Sequence, residues 1–171
     1  MLTSAQVTFV LHLGLGVLLV HAYAGGLATL LRPVATAGAR TVRLVSTAGL
    51  AAVAWITVVT GTWLVYPGYR AKPQPGADLV AYPRSALLAD ERTAVWHHFG
   101  MEWKEHVGWL VPFLATAVAY LVIRHRERVD RDPRLRRLVA ALFVISLAAS
   151  VVAAGLGAVI NAVAPNQFLD H

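Results

Sequence analysis

Four long apolar segments constrain this chain more than any other feature. They run over residues 7–31, 44–66, 96–123 and 138–164. A helix needs about 20 apolar residues to cross a bilayer. Each segment meets or approaches that length, is too long for a strand and lacks period-two alternation. The sequence therefore predicts an all-α integral membrane protein: a four-transmembrane-helix bundle with an ordered outer loop between helices 2 and 3. All of residues 1–171 read as one transmembrane domain. Only 14% of the residues are charged, against about 25% in soluble domains. The third segment is the weak one, because its clean apolar part covers only 107–123.

The net charge of +6 does not indicate nucleic-acid binding, because the cations sit in short connections. Arg32, Arg40 and Arg43 occupy the first, and seven arginines between 124 and 137 occupy the third. The second connection holds four cations: Arg70, Lys72, Arg84 and Arg92. Connections richer in Lys and Arg normally face the cytoplasm. The expected location is a bacterial-type plasma membrane with both termini on the outer side. The first apolar run lacks a basic leader and a cleavage site and reads as a retained span. With no cysteine, disulfides, thiolate metal sites, iron–sulfur clusters and covalent haem attachment are excluded.

The outer connection, 67–93, has three early prolines, which oppose a continuous helix. Stretches 77–80 and 85–89 suit short turns lying on the bundle. Trp63, Tyr66, Tyr69, Tyr82 and Trp96 read as an interfacial aromatic belt. Pro112 reads as a helix kink, and Gly155 and Gly157 as close-packing positions.

The chemistry concentrates where the third segment opens, Trp96-His97-His98-Phe99-Gly100-Met101-Glu102-Trp103-Lys104-Glu105-His106. Ionisable groups in a membrane helix are costly and mark functional sites by default. His12 lies 20 residues before Arg32, and His106 lies 18 before Arg124. Both are then about 27–30 Å from the inner boundary. His98, Glu102 and His106 share one helical stripe, and His21 falls near mid-membrane.

Matching depth on two helices suggests bis-imidazole ligation of haem b by His12 and His106, with His21 or His98 as alternative ligands. Glycines on both segments would admit a flat macrocycle. Arg70 could pair with a propionate, and Glu102 could act as a hydrogen-bond acceptor or proton group. A second reading is a single zinc, iron or copper ion on His98, Glu102 and His106. The spread of those residues, roughly 12 Å along the helix, weakens it. A third is a quinone pocket walled by Trp96, Trp103 and Trp109.

A plainer account has Lys104 and Glu105 snorkelling to the headgroups and His97 merely interfacial. It pairs Glu102 with Arg70 or Lys104, and bonds His21 to Tyr23, Thr57 or Thr60. The architecture resembles small membrane cytochromes b and the anchor subunits of respiratory enzymes. It departs from them in carrying histidines on only two of the four spans. The expected function is a haem-carrying membrane protein or oxidoreductase subunit passing electrons between quinone and an outer-side redox partner. The alternative is a non-catalytic membrane anchor or assembly subunit of a larger complex. Expected partners are the lipid bilayer, quinone and other membrane or outer-side redox subunits, with no nucleic acid.

Overall fold

The computed structural model describes residues 4–32 and 36–164, with side chains from residue 6 onward. Both ends of the chain, whose sidedness the arginine count addresses, lie outside the described residues. No strand occurs among the described residues. Four helices are long and apolar enough to cross a membrane: α1 (Ser4–Leu31), α2 (Ala37–Tyr69), α4 (Glu91–Arg124) and α6 (Pro133–Val163). Two short helices complete the set, α3 (Pro83–Leu88) and α5 (Arg126–Arg131). The long helices outrun the apolar segments because their ends continue into polar sequence. Thr36 caps α2, Asp90 caps α4 and Asp132 caps α6, each accepting from a backbone N–H two or three residues on. Pro133 fits the first turn of α6, where its missing N–H costs nothing.

Each long helix packs against the next one in the chain, and α1 closes the ring against α6. The connections at the arginine-rich end are short, which makes the helices they join antiparallel. The bundle interior holds Leu19, Tyr23, Leu30, Leu50, Val118 and Phe143, all nearly inaccessible. Its exterior carries large exposed apolar side chains on all four long helices, Leu11, Ile56, Phe113 and Val151 among them, as a lipid-facing surface requires. One polar pair lies inside: the Tyr23 hydroxyl bonds Ser146, whose Oγ donates to the Val111 carbonyl at 3.1 Å. Phe143 meets Tyr23 edge-on, with centroids 5.2 Å apart.

The arginine-rich end is locked by Arg43. Its Nε and Nη2 donate to the carbonyls of Thr29 and Arg32, at 3.1 and 2.6 Å, and so serve the unsatisfied end of α1. Its Nη1 meets Asp130 of α5 at 2.7 Å. The Arg43 side chain is 5% exposed, so it is as much a core group as a surface charge.

The opposite end, called outer because the arginine count predicts that side for it, is built differently. The connection 70–90 folds over α4 and α6. Leu87 of α3 buries against Tyr69, Met101, Ile160 and Ala164, with Tyr66 and Trp96 at the edge. Turns form at Leu79–Ala81 and in α3, close to the two expected stretches. Tyr69 is buried, at 3% exposure, so it belongs to this outer core and not to a belt. Trp63 stays outside and meets Trp109 edge-on.

Three irregularities break the long helices, all toward the outer end. Residues Gly61–Val65 of α2 and Trp96–Met101 of α4 are π-helical. In α4 the helix also tightens at Gly108–Trp109, where Val111 N–H bonds Gly108 O at 3.2 Å. Pro112 causes this. It has no N–H to offer the Gly108 carbonyl four residues back, so the neighbouring amide takes it.

Removing the Asp130 carboxylate leaves Arg43 buried with two carbonyls and no counter-charge. Asp130→Ala is expected to destabilise the fold by about 1–3 kcal/mol, read as a lower thermal midpoint in detergent. Glu127→Ala, which removes a largely exposed partner of Arg131, leaves it nearly unchanged.

Candidate functional site at the outer end of the bundle

Between the inner core and the outer core lies a polar level to which all four long helices contribute. His12 of α1 sits two turns beyond Leu19. Its ring rests on Gly61 at the start of the α2 π segment: a Cβ there would come within 2.7 Å of the ring. The hydroxyl of Thr60 is donated to the Ile56 carbonyl at 2.7 Å. The Thr60 oxygen must then accept from Nδ1 of His12, at 3.4 Å. The Thr57 backbone is a second hydrogen-bond partner for the ring, so α2 holds the imidazole from two residues.

Lys104 of α4 reaches the same level from the other side. It is half-buried, and its Nζ lies against Gly157 of α6, where a Cβ would meet it at 2.6 Å. No carboxylate and no hydrogen-bond acceptor among the described residues acts on its ammonium. Its charge also acts on His12. Glu105, its sequence neighbour, is engaged elsewhere, accepting from the Tyr66 hydroxyl.

Above this level His97 is 5% exposed. Arg84 Nε donates to its Nε2 at 3.4 Å, and Tyr69 Oη lies 2.9 Å from its Nδ1. A guanidinium can only donate, so Nε2 accepts and Nδ1–H donates to the tyrosine oxygen. His97 thus ties the outer connection to α2 and α4, instead of standing at the membrane interface. Both its nitrogens are occupied, which removes it as a metal ligand.

The remaining candidates face outward. The His106 side chain is 76% exposed, and its Nδ1 bonds the Glu102 carbonyl at 2.8 Å. The Glu102 carboxylate lies 3.9 Å from that nitrogen and pairs with neither Arg70 nor Lys104. His98 is exposed, with its ring beside that of His97. Arg70 lies over the Tyr66 ring, 5.4 Å from its centroid. His21 is exposed and bonds its own helix at Val17 O, 2.8 Å. Of the hydroxyls considered for it, Tyr23 goes to Ser146 and Thr60 to His12.

The structure thus turns His12 onto α2 and His106 away from the bundle, and the two rings meet different surroundings. No group of three His, Asp or Glu side chains comes together to hold a metal ion among the described residues. The sequence stripe His98–Glu102–His106 exists, but it lies on the exterior. Sequence reasoning passed over Lys104 and His97. The signal was present for Lys104, a lysine 20 residues from the arginine-rich end, yet snorkelling accounted for it equally well. For His97 the π segment that turns it inward has no sequence signature. No known protein family, no curated protein and no solved structure matches this chain.

Because His97 closes the outer connection onto the bundle, His97→Ala is expected to cost about 1–3 kcal/mol and to speed tryptic cleavage at Arg84. His98→Ala, which alters an exposed ring, leaves both unchanged. Equal sensitivity of the two variants would overturn the assignment.

Proposed function

We propose that this chain is the membrane subunit of a redox assembly and that His106 offers Nε2 to a b-type haem at the outer rim of α4. One observation supports the reading above others. Nδ1 of His106 is committed to the Glu102 carbonyl, and an imidazole held in that way presents Nε2 as a ligand. His12 is prepared similarly by Thr60, but Gly61 closes on its ring, whereas the His106 ring is open. The haem would supply one-electron transfer with quinone or an outer-side redox partner. The chain supplies the imidazole, its tautomer and the apolar flank formed by Phe99, Leu110 and Phe113. A macrocycle on that exposed face would be covered by another subunit, which would complete its binding.

The exterior position of the His98–Glu102–His106 stripe favours a second reading, a non-redox anchor that docks its partners through this face. The colour of the purified protein separates the two. The haem reading expects b-type bands in a reduced-minus-oxidised spectrum, lost in His106→Ala and kept in His97→Ala. Absence of those bands in the wild type, or full haem content in His106→Ala, sinks it.

The same proposal puts the polar level on the outer side of a bacterial-type plasma membrane, as the arginine bias suggests. The chain has no cysteine, so single cysteines report cleanly. An impermeant maleimide is expected to label Pro75→Cys in intact cells and to leave Glu127→Cys unlabelled. The opposite pattern inverts the topology.

A further inference from the structure

A lysine ammonium inside an apolar bundle needs an acceptor, and Lys104 has none among the described residues. Tyr66 uses the nearest carboxylate in sequence, Glu105. The space around the ammonium is nonetheless shaped. Gly157 gives it room on α6, Gly61 gives His12 room on α2, and Thr60 holds the imidazole. Two nitrogen bases thus share one level, with no acid between them, sandwiched by the apolar inner and outer cores. Holding a bare cation here costs several kcal/mol. A bound anion removes that cost and adds charge-assisted hydrogen bonds.

We propose that Lys104, with His12 beside it, forms an anion-binding site within the outer half of the bundle, which takes a phosphate or carboxylate headgroup entering over Gly157. Lys104 donates directly. His12, held beside it by Thr60, takes up a proton when the anion arrives and becomes the second donor. The site does not include His106 and stands whether or not the chain carries haem. The same chemistry is offered by an anionic lipid from the outer leaflet and by a soluble anion from the outer aqueous side.

The test uses the full-length protein in nanodiscs of pure phosphatidylcholine or of phosphatidylcholine with phosphatidylglycerol. Native mass spectrometry reads retained phosphatidylglycerol, and thermal midpoints are read with and without added inorganic phosphate. The wild type is expected to retain phosphatidylglycerol, or to be stabilised by phosphate in the neutral discs. Lys104→Met and Gly157→Leu each lower that response at least tenfold, and Lys104→Arg restores most of it. Gly157→Leu keeps the charge and only fills the space, so it reports even if Lys104→Met folds poorly. Retention confined to phosphatidylglycerol identifies a lipid headgroup, and a response to phosphate alone identifies a soluble anion. Equal binding by wild type, Lys104→Met and Gly157→Leu, or no response to either anion in the wild type, overturns the proposal.

Discussion

A bundle with an apolar exterior can place polar side chains only at its ends or facing inward, and each inward one must find a partner within the protein. That constraint organises the whole molecule. Mid-bundle polar groups are short hydroxyls that bond carbonyls of their own helix: Thr47 to Arg43, Thr57 to Val53, Ser150 to Ser146. Tyr23 reaches across to Ser146, Ser146 to the Val111 carbonyl, and Trp55 Nε1 to the Thr116 hydroxyl. The Lys, Arg, Asp and Glu side chains among the described residues lie toward the two ends.

The apolar segments made the four helices legible, since a run of that length leaves no other economical fold. Helix extensions into polar sequence were less so, because they depend on caps such as Asp90 and on contacts with the outer connection. There the Arg92 guanidinium beside Asp90 also holds that carboxyl below the usual range. The residues of the polar level were visible as a group, but their directions were not. His98, Glu102 and His106 are all exposed, and Glu102 and His106 meet one turn apart. Which face they occupy depended on the π segment at Trp96–Met101, and that segment turns His97, not His98, into the protein. One extra residue in a turn rotates everything beyond it, and no spacing rule in the sequence marks where it occurs.

The two π segments also bear on function. An i→i+5 turn sacrifices regular backbone bonding and persists where the surroundings compensate. In α2 the compensation is the fit of His12 onto Gly61 beside Thr60. In α4 it is the Tyr69–His97–Arg84 chain. Both segments lie at the same end of the bundle and flank the same polar level. The inner end shows no such irregularity in its long helices.

The contrast between the ends is the strongest argument for where function lies. At the arginine-rich end the buried charge is answered: Arg43 has Asp130 and two carbonyls, and Asp132 caps α6. Those contacts account fully for the residues involved and need no ligand. At the outer end the accounting does not close. Glu105 is taken by Tyr66 and His97 by Tyr69 and Arg84, so neither can serve Lys104. His106 satisfies one nitrogen on its own helix and leaves the other open. A lysine against a glycine, without an acceptor, is a poor device for stability, since an apolar residue of similar volume would pack there at no electrostatic cost. What such an arrangement does well is bind something the chain itself does not provide.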